Sequence, residues 1–175
     1  MRAVFIDRDG TMGGDTEATY PQNFVLYDNV LDSIELLKAS GFKVIAFTNQ
    51  PDIAMGKVSQ KEFEDELFGF KFDDVCVCPH LPSDLCKCRK PGTYMLETMI
   101  TKYGLNRTEC YVIGDRWSDM LAGINAKMKI VLVKTGCGND SLIKHSDKWD
   151  VRKASYIATN LSDCLLYTSD AADEL

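Results

Sequence analysis

Four short clusters of reactive polar residues punctuate the chain: Asp7-Arg8-Asp9-Gly10-Thr11, Thr48-Asn49-Gln50, Arg89-Lys90-Pro91 and Gly114-Asp115-Arg116-Trp117-Ser118-Asp119. Two carboxylates two residues apart, entering a glycine-containing turn, can offer oxygen ligands to a hard cation when a third carboxylate arrives from elsewhere. The same concentration of negative charge repels a phosphate, so phosphate chemistry there needs both Mg²⁺ and Lys90 to neutralise it. A second constellation, Cys78-Pro79-His80 and Cys86-Lys87-Cys88, packs four soft ligands into eleven residues. Cys-x-His and Cys-x-Cys pairs joined by a five-residue loop can close a tetrahedral Zn²⁺ site from Cys78, His80, Cys86 and Cys88. Such a site leaves no ligand position open for water, so its zinc is expected to be structural. It can contribute on the order of 10 kcal/mol to folding. A disulfide explains the cluster less well, because a reducing compartment disfavours it and the histidine would have no part. Arg89 and Lys90 follow Cys88 directly, so a metal-stapled loop would fix both cations.

The elements that must position these groups are legible as alternating apolar runs and amphipathic stretches. Ala3–Ile6, Val44–Phe47, Val75–Cys78, Tyr111–Ile113 and Ile130–Val133 are short and dense, as expected for strands buried on both faces. Leu31 to Ser40 forms an apolar helical stripe ended by Gly41, and Ser59 with Glu62 signals a second helix start. Pro91-Gly92 precedes a third helix, and Arg116 to Asn125 suits a fourth. This alternation predicts an α/β domain with a parallel sheet. Each of the first four strands runs straight into one of the polar intervals, so in a parallel sheet the clusters share one edge, where open α/β sheets leave a crevice. The intervals are too short to hold a large lid domain.

With 175 residues the chain can bury about 70% of its unfolded surface, enough for one domain. Its 20 Lys and Arg against 26 Asp and Glu give a net charge of −6, which argues against a nucleic-acid partner. No apolar run approaches the roughly 20 residues needed to cross a bilayer, and Met1 leads into a strand-like segment without a signal-peptide core. No membrane association and a cytoplasmic location are expected. Residues 164–175 read as a translated adapter sequence and are set outside the fold, leaving a single domain over 1–163. Cys76 reads as a core residue, Cys110 and Cys137 as free thiols, and His145 as solvated. Trp117 suits either substrate stacking or packing at a helix start. Residues 135–154 are poorly periodic and carry no readable role.

Asp7-x-Asp9-Gly10-Thr11, Thr48, Lys90 and Gly114-Asp115-x-x-x-Asp119 together resemble the four motifs of the haloacid dehalogenase superfamily of phosphatases, in order and spacing across residues 1 to 135. The resemblance implies a three-layer, Rossmann-like α/β fold with strand order 3-2-1-4-5, no large cap and a zinc-stapled loop. It implies Asp7 as nucleophile and Asp9 as acid and base. Mg²⁺ would be held by Asp7, the carbonyl of Asp9 and Asp115, with Asp119 orienting them from behind. Thr48 and the backbone of Asn49 would hold phosphoryl oxygens, Lys90 would offset charge, and Arg89 and Arg116 would touch substrate. Cys-x-His followed by Cys-x-Cys-Arg-Lys-Pro resembles a narrower branch, the heptose bisphosphate and histidinol phosphate phosphatases. The His80–Cys86 gap is similar to the histidinol type, whereas Ile53-Ala54-x-Gly56 is similar to the heptose type, with Asp52 and Met55 departing from that pattern's Gly and Arg. The expected activity is hydrolysis of a small phosphorylated metabolite by a monomer, with heptose 1,7-bisphosphate ahead of histidinol phosphate. A DNA-end phosphatase and a catalytically silent binding module are the rival readings; the acidity weighs against the first, the intact Asp7 and Asp9 against the second.

Overall fold

The structure, a computed structural model of the chain, describes residues 1–14, 17, 19–165 and 167. One sheet contains β1 (Arg2–Ile6), β2 (Phe42–Asn49), β3 (Asp74–Cys78), β4 (Tyr111–Gly114), β5 (Lys129–Val133) and β6 (Ala154–Ala158). The order is β3-β2-β1-β4-β5-β6, and every neighbouring pair is parallel. The expected order of the first five strands holds, and β6 extends the sheet beyond them. Its sequence Ala-Ser-Tyr-Ile-Ala lacks a dense apolar run because this edge strand is mostly only half buried.

Side chains alternate between the two faces of each strand. Val4, Ile6, Val44, Ala46, Ile113 and Val131 pack against Val30, Ile34 and Leu37 of α1 (Val30–Ala39) and Leu67 of α2 (Gln60–Gly69). Phe5, Ile45, Phe47, Val112, Ile130 and Leu132 pack against Met95, Leu96 and Met99 of α3 (Tyr94–Tyr103) and Met120 and Ala122 of α4 (Trp117–Asn125). Helices thus cover both faces of the sheet, giving three layers, and an apolar strand needs no polar side in such a fold. The helix ends are set locally. Ser59 and Glu62 close a reciprocal capping box at the start of α2, and α3 stops where Gly104 turns left-handed. A short α5 (Gly138–Ile143) follows β5.

The intervals after β1 and β3 hold only one-turn helices, Pro21–Asn23 and Pro82–Asp84, among the described residues. The mouth of the sheet therefore stays open. Residues 161–165 are helical, and Cys164 is wholly buried against the α1 side of the core. Tyr167 stacks on Tyr156 at 5.4 Å. The expected boundary at 163/164 falls inside this helical run, while Leu166 and residues 168–175 of the tail lie outside the described residues.

In α4, Gly123 faces the sheet at short range, where a Cβ would stand 2.4 Å from Ile130 Cγ2 and 3.1 Å from Val112 Cβ. Overpacking of this kind costs about 1–3 kcal/mol. Gly123→Val should therefore lower the urea midpoint by an amount equivalent to about 2 kcal/mol; an unchanged midpoint would show that α4 does not seat where described.

Candidate active site

Parallel pairing brings the carboxyl ends of the strands to one edge. Asp7 leaves β1 with its N–H on the Ile113 carbonyl at 3.0 Å, so it stands level with the end of β4. Asp115 follows Gly114 of β4 directly, and Asp119 lies one helical turn further on, in the first turn of α4. Ligand oxygens of Asp7, Asp115 and Asp119 lie within 4.8 Å of one another. Lys90, 5% exposed, reaches into this cluster from the loop after β3. Its ammonium donates to Asp7 Oδ1 at 2.7 Å and to the Phe47 carbonyl at 3.1 Å. It also lies 2.7 Å from Asp119 Oδ1, as an ion pair outside hydrogen-bond alignment.

One ammonium faces three buried carboxylates, and the imbalance marks the acids. Burial, then Asp7 and Asp119, push Asp115 up to about 8. Burial, then Asp7, push Asp119 up to about 6 even with Lys90 beside it. Burial alone would lower the pKa of Lys90, and Asp119 and Asp7 reverse that, holding it above the ordinary value. A pocket of all-oxygen donors with surplus negative charge fits a hard divalent cation such as Mg²⁺. Gly10 makes the approach possible: it adopts φ +79°, and a Cβ there would stand 2.2 Å from Asp115 Oδ2.

The cleft above the acids has a volume of about 550 Å³, and Asp7, Asp9, Thr48, Asn49, Arg89, Lys90 and Arg116 all line it. Asp115 and Asp119 are fully buried behind that lining. The Asn49 amide is already committed: its Oδ1 accepts from Lys90 N at 3.1 Å and its Nδ2 donates to Lys90 O at 3.4 Å. It clips β2 to the lysine loop. Trp117 lines the cleft and packs on the core beneath α4.

Cys78, His80, Cys86 and Cys88 converge beside the cleft. Sγ–Sγ separations are 3.6 Å for Cys78–Cys86, 3.3 Å for Cys78–Cys88 and 3.5 Å for Cys86–Cys88. His80 Nδ1 lies 3.7 Å from Cys78 Sγ and 3.2 Å from Cys88 Sγ. Sulfurs bound tetrahedrally at zinc–sulfur distances near 2.3 Å stand roughly 3.8 Å apart. The donor set and its spacing therefore fit Zn²⁺. Burial pushes the Cys78 thiol up to about 12, a cost that a bound cation removes by stabilising the thiolate. All seven cysteines are free of disulfides.

Several residues that hold the site carry no sequence signal of their own. Gln50 donates to Asp9 Oδ2 at 2.6 Å and to Thr48 Oγ1 at 2.9 Å. Arg8, wholly buried between the two acids of its motif, donates to Asp9 Oδ1 at 2.7 Å. Asp9 itself is pushed upward chiefly by burial, with Arg8 acting against it and Asp7 reinforcing it. The unreadable stretch 135–154 turns out to buttress Asp115. Cys137 N donates to Asp115 Oδ2 at 2.7 Å, Thr135 Oγ1 to the Gly10 carbonyl at 2.7 Å, and Ser141 Oγ to the Asp115 carbonyl at 2.8 Å. Ser141 also accepts from Trp117 N at 3.0 Å, while the Trp149 indole donates to the Ser141 carbonyl at 3.0 Å. The only cues were the glycines and the isolated tryptophan. Ser141→Ala strands the Trp117 N–H and the Asp115 carbonyl, and should destabilise the fold by about 1–3 kcal/mol in chemical denaturation; a loss below the error of that measurement would remove the buttress.

Residues 87–164 match the HAD-hydrolase-like family model. The D-glycero-beta-D-manno-heptose-1,7-bisphosphate 7-phosphatase of Haemophilus ducreyi is 30% identical, over 96% of this chain and 98% of its own. The protein of the same name from Haemophilus influenzae is 34% identical, over 77% of this chain and 83% of its own. A crystal structure of the D,D-heptose 1,7-bisphosphate phosphatase from B. bronchiseptica, complexed with magnesium and phosphate, superposes with a TM-score of 0.84 at 23% identity, covering 98% of this chain and 99% of that one. Likeness at this level and over these lengths leads to one conclusion: the chain belongs to the haloacid dehalogenase-like hydrolases, in the family of the heptose bisphosphate 7-phosphatases, and is a phosphatase.

Proposed function

We propose that the chain hydrolyses a small sugar phosphate through a phosphoaspartyl intermediate on Asp7, with D-glycero-D-manno-heptose 1,7-bisphosphate as the substrate. The observation that carries the chemistry is the buried Lys90–Asp7 contact of 2.7 Å at the floor of an open cleft. An ionised carboxylate is the one group there able to attack phosphorus without first losing a proton. The names of the relatives carry the choice of sugar. The cleft of about 550 Å³ is of a size for one small metabolite. Thiol ligands such as these need a reducing compartment, in keeping with the cytoplasm. No helix among the described residues is long and apolar enough to cross a membrane.

In this mechanism the Asp7 carboxylate attacks phosphorus, the sugar oxygen leaves and Asp9 gives it a proton. Asp9 then takes a proton from water as that water attacks the phosphoaspartate, releasing phosphate and restoring Asp7. Thr48 and the Asn49 backbone hold phosphoryl oxygens, and Lys90 offsets the charge of Asp7 and the transferring group. Arg89 and Arg116, which both line the cleft, hold the rest of the substrate. Asp7, the Asp9 carbonyl and Asp115 would hold Mg²⁺, with Asp119 orienting them, and the ion would neutralise phosphoryl charge. Cys78, His80, Cys86 and Cys88 would hold a structural Zn²⁺ that fixes the loop carrying Arg89 and Lys90.

Asp7→Asn should abolish phosphate release, by at least about a thousandfold, while leaving the melting curve of a folded protein; wild-type rates in that variant would remove the mechanism. Phosphate release from heptose 1,7-bisphosphate, histidinol phosphate and a 3′-phosphorylated oligonucleotide should rank in that order, and a preference for either of the last two would overturn the substrate assignment. Chelating zinc should lower the melting temperature while added Mg²⁺ still raises it. An unchanged curve after metal analysis shows complete zinc removal would contradict the structural role.

A further inference from the structure

We propose that Arg8, Glu66 and Gln50 form a positioning device that locks the carboxyl group of Asp9 in one orientation at the cleft. The inference rests on the assignment of Asp9 as acid and base made above. Asp9 sits on a turn just beyond β1, outside the strand, so the sheet does not by itself fix the rotation of its carboxyl group. Both of its oxygens are nevertheless engaged. Oδ1 accepts from Arg8 Nη1 at 2.7 Å and from Thr19 N at 3.3 Å, and Oδ2 accepts from Gln50 Nε2 at 2.6 Å. Donors on two sides of a carboxylate leave it one rotamer.

The donors are themselves held. Gln50 is 1% exposed, its amide also donates to Thr48 Oγ1, and its own N–H is tied to the Cys78 carbonyl at 2.8 Å. Arg8 is wholly buried, and its Nε and Nη2 form a fork on Glu66 at 2.6 and 2.8 Å. A planar guanidinium gripped on one edge aims its remaining nitrogen, here at Asp9 and at the Thr19 carbonyl at 2.7 Å. Its plane is fixed by Phe24, with the ring centroid 3.7 Å from Cζ, and by Phe63 at 4.9 Å. Glu66 belongs to α2, so a helix outside the strand-end edge reaches the acid through one side chain. The strap over Arg8 is pinned in turn, with Tyr20 donating to Asp52 at 2.6 Å and Gln22 to Glu62 at 2.8 Å.

Stability alone does not account for this arrangement. Burying an Arg–Glu pair costs desolvation that an apolar pair of the same volume avoids, and a structural pair has no need of a third partner in the cleft. Misplacing a reacting group by about 1 Å can cost on the order of a hundredfold in rate, which gives the device its use.

Leaving-group dependence separates positioning from structure. A sugar alkoxide must be protonated as it departs, whereas 4-nitrophenolate departs without a proton. The test compares kcat/KM for heptose 1,7-bisphosphate, or for histidinol phosphate if that is the compound hydrolysed, with kcat/KM for 4-nitrophenyl phosphate. In Glu66→Gln, and independently in Gln50→Leu, the ratio of the first to the second should fall at least tenfold in protein whose melting curve confirms folding. An equal fall on both substrates, or no fall, would reduce the cluster to a structural element and overturn the proposal. Asp9→Asn serves as the reference. If it shifts the ratio and the other two variants do not, the device fails while Asp9 keeps its role; if it leaves the ratio unchanged, the assignment of Asp9 fails and takes this inference with it.

Discussion

Three carboxylates confined to a few ångströms and sealed from water cannot coexist without positive charge, and the buried ammonium of Lys90 pairs with two of them. Asp7 and Asp119 each lie 2.7 Å from it. Each side of this arrangement favours the other's charge: burial disfavours the ammonium and the carboxylates alike, and their pairing works against it. One lysine against three acids still leaves the pocket short of positive charge, which suits it to a divalent cation and a phosphoryl group arriving together. The electrostatic deficit and the phosphatase activity are in this sense the same property.

Because so much depends on one side chain, the chain spends several devices on its backbone. Lys90 stands two residues beyond Cys88, in a loop with little apolar packing of its own: Leu85 is 89% exposed. The convergence of three thiols and an imidazole takes the place of a core there, and the Asn49 amide clips the lysine backbone to the end of β2 from the other side. On the opposite flank, Ser141, Thr135 and Cys137 serve Asp115 in the same way, tying its loop to α5 and to Gly10. The acids are thus placed by hydrogen bonds from segments far away in the chain, and the sheet supplies the common edge on which they meet.

Much of this was legible before any coordinates. Dense apolar runs mark five buried strands, because a parallel strand covered on both faces tolerates no polar alternation; β6 escaped because an edge strand is under no such demand. Ser59 and Glu62 announce α2 through a bond pattern confined to one helical turn. The Cys/His pairs and the clustered acids stand out because metal chemistry restricts which residue types can serve, and at what spacing; Thr48 and the roles of Lys90 come through the family resemblance.

What the sequence could settle, then, is what is enforced within a turn or a strand: most of the elements, the order of the reactive clusters along the chain and the residue types on offer as ligands. Partnership across the chain belongs to the fold. That Arg8 grips Glu66, 58 residues away, that Gln50 holds Asp9, and that Ser141 supports Asp115 all depend on hydrogen-bond direction and on which loops the sheet brings together. A residue type states what a side chain can donate or accept, and only the packed structure decides to whom.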